Sequence, residues 1–211
     1  VADNHPRKAS RDDYVDDLLQ KTLSRDIMPI AIQPIYQAVT NKIDSLDVLA
    51  RLYGNEGDQI PSGELFAAAA RRNMVDRVDI GALFSAGKLA EDYGETYFTK
   101  TGITSESIRL SNVALRDPGF VDNVKKFFEK YSLPKSYLHF IVEHSLLSDY
   151  RQDMKTIMDA LKEFGIVWEI NGVNEDNCSL DELKAMGLMD LRTEMSFISR
   201  AVNNQNDYQI C

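Results

Sequence analysis

Ile32-Gln33-Pro34-Ile35-Tyr36-Gln37-Ala38-Val39-Thr40-Asn41-Lys42, continued by Leu46-Asp47-Val48-Leu49-Ala50-Arg51-Leu52, is the stretch on which the reading of this chain turns. The apolar run from Ile30 to Tyr36 has strand character but carries Pro34. Central strands tolerate proline poorly, so this one belongs at a sheet edge, at a strand end, or in an irregular strand. A turn at Thr40-Asn41-Lys42 follows, and Leu46 to Tyr53 alternates as a second strand. The two segments are able to pair as an antiparallel hairpin.

Working outward, helical spacing at Val15, Leu18, Leu19 and Leu23 precedes the hairpin, and the polar residues 1–13 read as a disordered arm or linker. After the hairpin, helices and strands alternate. Pro61-Ser62 opens a helix through Leu65, Phe66 and Ala69, and a second runs from about 75 to 93. Ile108 to Ser111 is a short strand. Asp117-Pro118 opens a helix carrying Val121, Val124, Phe127 and Phe128, with proline where the first turn loses no donor. A strand over 138–143, a helix over 153–164 and a strand over 166–170 follow. Ser179 and Glu182 have capping-box spacing for a short helix, residues 188–193 form a sixth strand, and Phe197-Ile198 begin another helix. This alternation predicts an α/β fold with parallel strands, helices outside, and the first strand antiparallel to the second. An open sheet and an incomplete (β/α)8 barrel both fit. With no internal repeat or linker beyond residue 14, residues 14–211 are expected to form one domain.

Composition narrows the function. The chain has 211 residues, 44% hydrophobic and 27% charged, as in ordinary globular proteins. A net charge of −9 argues against direct nucleic-acid binding, which usually leaves a basic footprint. It also disfavours adhesion to anionic lipid, while leaving room for a locally positive site. The two cysteines, Cys178 and Cys211, have neither zinc-site spacing nor the number for a disulfide framework. A cytoplasmic setting is expected, alone or as the cytoplasmic part of a larger membrane protein. No apolar run approaches the roughly 18 residues that a membrane span needs.

Five stretches resemble, in order and spacing, the motifs of EAL domains. Residues 32–70 (IQPIYQAVTNKIDSLDVLARL…IPSGELFAAA) are similar to the opening Q-P-I strand, the E-A-L-L-R strand and the helix after it. IRLSNVALRDPGF at 108–120 resembles V-N-L-S followed by D-P-x-F, and LHFIVEHS at 138–145 resembles L-x-L-E-I-T-E-S. FGIVWEING at 164–172 and LRTEMSFI at 191–198 resemble the later D-D-F-G and K-I-D motifs. The resemblance implies an EAL-type (β/α)8 TIM-like barrel, here ending after the sixth strand, with its site at the C-terminal strand ends. Family members cut cyclic di-GMP with two divalent metals, Mg²⁺ or Mn²⁺, which prefer hard oxygen ligands.

Carried over by position, that metal site is degenerate. The glutamate of E-A-L is Asp47, the asparagine of V-N-L-S is Arg109, and the glutamate of E-I-T-E-S is Ile141. The paired aspartates are Glu169 and Ile170, and the lysine is Arg192, which stays charged and cannot relay a proton near neutral pH. Glu143 is placed to compensate in part. The resemblance therefore implies no catalytic residue and no cofactor, and Arg109 is expected to neutralise Asp47 and Glu169. Gln33, Leu49, Arg51 and Asp117 match positions that face the dinucleotide, and Arg51 suits a phosphate because its planar fork donates two parallel hydrogen bonds.

Each has a plainer reading. Gln33 can serve an irregular strand, Arg51 can pair Asp47 or Glu64, Asp117 can cap a helix, His139 and His144 can be strand-end residues, and Trp168 core. Three functions follow, in this order: a silent cyclic di-GMP receptor, a nucleotide-independent protein-interaction module, and a weak phosphodiesterase using Asp47, Glu143 and Glu169. The expected partners are cyclic di-GMP, another protein or a domain of a larger signalling protein, or a second copy in a homodimer.

Overall fold

Six strands form one curled sheet in the computed structural model, which describes residues 10–25, 28–173, 180–188, 190–193 and 199. They are β1 (Ile30–Tyr36), β2 (Ile43–Ala50), β5 (Ser105–Arg109), β6 (Leu138–Glu143), β7 (Val167–Val173) and β8 (Asp190–Thr193), in that spatial order. β1 is antiparallel to β2, and every later pairing is parallel. Pro34 sits in β1 at an end of the sheet, where its missing donor interrupts no central ladder. A two-stranded ribbon, β3 (Leu52–Tyr53) with β4 (Gln59–Ile60), lies apart; the single strand expected through Tyr53 thus breaks at Arg51.

Seven α-helices are described: α1 (Arg11–Leu23), α2 (Ser62–Arg71), α3 (Val75–Thr101), α4 (Asn112–Arg116), α5 (Phe120–Lys130), α6 (His144–Leu161) and α7 (Leu180–Met186). Residues 11–13, expected in a polar arm, belong instead to α1, because Ser10 and Asp13 close a capping box that starts the helix at Arg11. Asp117-Pro118 does not open α5, which begins at Phe120; Asp117 instead ends α4 and accepts the Gly119 amide at 2.6 Å. The helix expected from 153 begins at His144 and kinks at Tyr150. The Ser179 cap and the helix at Phe197-Ile198 lie outside the described residues.

Two cores result. The larger covers the sheet's outer face, where α5 presents Phe120, Val124 and Phe127 at helical spacing to Phe140 and Trp168. Phe127 meets Phe84 of α3 edge to face at 5.8 Å between centroids. Gly87 permits that approach, since a Cβ there would lie 2.4–2.7 Å from the Tyr131 and Phe127 rings. The smaller core packs α1, α2 and the β3–β4 ribbon around Leu19, Leu52 and Leu65. Buried Asp16 ties it together by accepting from Arg71 at 2.7 Å and Arg72 at 2.9 Å.

Candidate functional site

Register aims the polar residues of the sheet into one hollow. Gln33 lies opposite Asp47, Asp47 opposite Ser107, and Ser107 opposite His139. One step further along, Arg109 lies opposite Ile141 and Ile141 opposite Glu169; Glu143 then faces Asn171, and Asn171 faces Arg192. Directly paired residues share a face and next neighbours alternate, so all of these project from the inner face, toward the C-terminal ends of the parallel strands. Ile170 is off this face. It points outward into the larger core at 0% exposure, so the position carried over from the second aspartate does not face the hollow.

Arg192 is the hub. Its Nη1 and Nη2 donate to the two oxygens of Asp47 at 2.7 and 2.8 Å, and its Nε donates to Glu169. Glu169 also accepts from Ser107 Oγ at 2.8 Å, and its Oε1 lies 2.7 Å from His139 Nδ1. His139 Nε2 sits 3.1 Å from the Ser136 carbonyl oxygen. Burial alone pushes the Glu169 carboxyl up. Hydrogen bonds from His139, Arg192 and Ser107, with the guanidinium charge, overcome it and bring the carboxyl down to about 2. Burial works against the Arg192 charge too, and Asp47 and Glu169 more than offset it, raising the guanidinium above its ordinary value. The cluster is thus a hydrogen-bonded network in which one guanidinium bridges two carboxylates, with all three ionic members largely buried.

This corrects the sequence reading at one point. Arg109 does not neutralise Asp47 and Glu169. It forms an ion pair with Glu143, whose carboxylate also accepts from Asn171 at 3.0 and 3.2 Å. The Glu143 position is hence engaged by a cation. His139 is more than a strand-end residue, and Ser107 and Asn171 escaped the sequence reading altogether. Their period-2 alternation with Arg109, Ile141 and Glu169 is the signal that locates them. Trp168 is core, at 7% exposure.

The remaining candidates share no side-chain hydrogen bond with this network among the described residues. Gln33 is exposed and Leu49 and Arg51 are half-buried. The Arg51 guanidinium donates only to the Ala50 carbonyl, at 2.9 Å, and has no carboxylate partner among the described residues. Neither Asp47 nor Glu64 takes it: Glu64 pairs with Arg11 at 2.8 Å. Asp117 is exposed and bound to its own loop. Among the described residues no group of three or more His, Cys, Asp or Glu is arranged to hold a metal ion.

A curled, mostly parallel sheet with an antiparallel first strand, helices outside and an arginine-bridged acidic hollow at the strand ends defines an open α/β barrel. The chain belongs to the EAL domain family, whose model matches residues 16–211. It is 24% identical over 195 residues to the signaling protein YkoW of Bacillus subtilis, covering 92% of this chain and 24% of that one. It is also 24% identical over 191 residues to the cyclic di-GMP phosphodiesterase PdeA of Borreliella burgdorferi, covering 90% and 28%. The chain therefore spans about a quarter of the length of these relatives. Its fold matches the FimX EAL domain of Pseudomonas aeruginosa, solved bound to c-di-GMP, with a TM-score of 0.72 and 21% identity over 93% of this chain and 77% of that one. No helix among the described residues is long and apolar enough to cross a membrane.

Proposed function

We propose that this EAL domain is a catalytically silent regulatory module that holds cyclic di-GMP without metal and reports it through contacts with a neighbouring protein or domain. One observation carries the reading: the Arg192 guanidinium fills the space between Asp47 and Glu169 and takes up both carboxylates. A divalent pair would need those oxygens free, and Arg109 and Ile141 offer it none, one being a cation and the other aliphatic. The residues present do not fit the family's two metals.

Nucleotide binding rests on Arg51, Gln33, Leu49 and Asp117. A guanidinium without a carboxylate partner suits a phosphate, and a half-buried Leu49 offers a surface for a base. A second reading, a module indifferent to nucleotide, is favoured by the Arg109–Glu143–Asn171 cluster, which already occupies part of the hollow. In either case the setting is cytoplasmic, within a longer signalling protein or as a homodimer.

Calorimetric titration with cyclic di-GMP, with and without Mg²⁺, and chromatography of the mixture separate the readings. Binding that ignores Mg²⁺ and leaves the nucleotide intact supports the receptor. Absence of heat supports the nucleotide-independent module. Appearance of linear dinucleotide contradicts both and supports a weak phosphodiesterase.

A further inference from the structure

A cavity of about 780 Å³ opens on the outer side of the molecule, between α3, α5 and the segment leading into β1. It is distinct from the hollow just described, because its strand residue, Ile30, lies on the face of β1 opposite Gln33. The volume falls within the ~300–1,000 Å³ typical of small-molecule sites. Its walls are Met28, Ile80, Phe84 and Tyr131, drawn from both cores of the fold.

The cavity is apolar within and cationic at its margin. Lys130 holds its ammonium 5.0 Å from the Tyr131 ring centroid and 5.8 Å from that of Phe84, poised over the aromatic wall. Arg77 donates to the Leu23 carbonyl at 3.1 Å. Neither cation meets a carboxylate among the described residues. Lys88 is spent on Asp92, and Asp76 is the one acid among the lining residues. On a chain of net charge −9, two uncompensated cations beside an apolar cavity are a local reversal of sign.

We infer that this cavity is a binding site for a small amphipathic anion, an aliphatic or aromatic body ending in one carboxylate or phosphate group. The body displaces water from Ile80 and Phe84, and the head group meets Lys130 at the aromatic margin, with Arg77 adding to the positive potential of the rim. The inference is independent of cyclic di-GMP binding.

The test titrates the full chain with sodium decanoate, decyl phosphate and neutral decanol, followed by NMR of the Ile80 methyl and the Phe84 and Tyr131 ring signals. Saturable shifts at these three residues with either anion are expected, with decanol weaker. The tighter of the two anions assigns the head group. Lys130→Gln is expected to weaken the anions about fivefold, the worth of one exposed ion pair, and leave decanol unchanged. Ile80→Trp fills the cavity and is expected to abolish saturation by all three; should it not fold, the Lys130→Gln comparison decides. No saturable anion binding, shifts confined to other residues, or equal loss of decanol and anions in Lys130→Gln would overturn the proposal.

Discussion

Asp47 and Arg192 lie 145 residues apart in sequence and meet through two parallel hydrogen bonds of 2.7 and 2.8 Å. The contact closes one side of the hollow by joining β2 to β8, strands that are not neighbours in the sheet. It also sets the electrostatics of everything near it. Without the guanidinium, two largely buried carboxylates would share the hollow.

The first expectation concerns that bridge. Arg192→Leu leaves Asp47 and Glu169 buried without their cation, which costs about 3 kcal/mol by analogy with other broken buried pairs. Adding Asp47→Asn and Glu169→Gln should recover much of the loss. Urea unfolding at pH 7 of the single and triple variants checks both.

Acid should weaken the protein through Glu169. Its folded-state value of about 2 lies below the ordinary 4.5, so its contribution is present above 4.5 and lost as pH falls from 4.5 toward 2. The shift corresponds to about 3 kcal/mol. Comparing the stability of the wild type and Glu169→Gln between pH 5 and 2 measures it, and a parallel pair of curves would count against the network.

Glu106 works in the opposite sense. It is 1% exposed on the outer face of β5. Burial pushes its carboxyl from 4.5 up to about 7, with Tyr137 opposing. The folded state therefore holds this proton more tightly than the unfolded chain. Stability from this group is greatest below 4.5 and falls as pH rises through 7. Glu106→Gln should be nearly neutral at pH 4 and stabilising by about 3 kcal/mol at pH 8, read from denaturation midpoints.

Packing gives a separate check at Gly87. Alanine is the better helix former by about 1 kcal/mol. Here its methyl would press into the Tyr131 and Phe127 rings at 2.4–2.7 Å, and overpacking costs roughly 1–3 kcal/mol. Gly87→Ala should thus lower the thermal midpoint despite its propensity.

Ligand binding should depend on Arg51. Among the described residues its guanidinium donates only to the Ala50 carbonyl, so removing the side chain leaves no buried acid stranded. Arg51→Ala should change stability by less than about 0.5 kcal/mol. It should weaken cyclic di-GMP roughly 10- to 100-fold, the worth of a charge-assisted hydrogen bond. Calorimetry beside a melting curve separates the two effects.

Much of the fold was legible because its signals are local. The apolar run Leu138–Glu143 bounds β6 correctly, and a sheet edge is one of the three places that Pro34 leaves open for β1, the one it occupies. α4 was missed, because five residues, Asn112–Arg116, hold too little periodicity to stand out; their start is fixed by Ser111, whose hydroxyl caps the Ala114 amide at 3.1 Å. At the site, the resemblance points to Asp47 and Glu169 and gives them Arg109 as counter-ion, whereas the structure gives them Arg192. Both arginines stand on the inner face, and sequence gives no measure of reach across a curved sheet. Register decides it. Arg109 sits opposite Ile141, one step from Glu143, whereas Arg192 on β8 extends back to both carboxylates.

Manganese anomalous scattering from crystals soaked in Mn²⁺ tests the central claim most directly. With the Arg192 guanidinium holding both carboxylates, no anomalous peak should appear within coordination distance of Asp47 or Glu169. Two strong peaks there, with Arg192 swung aside, would contradict the account.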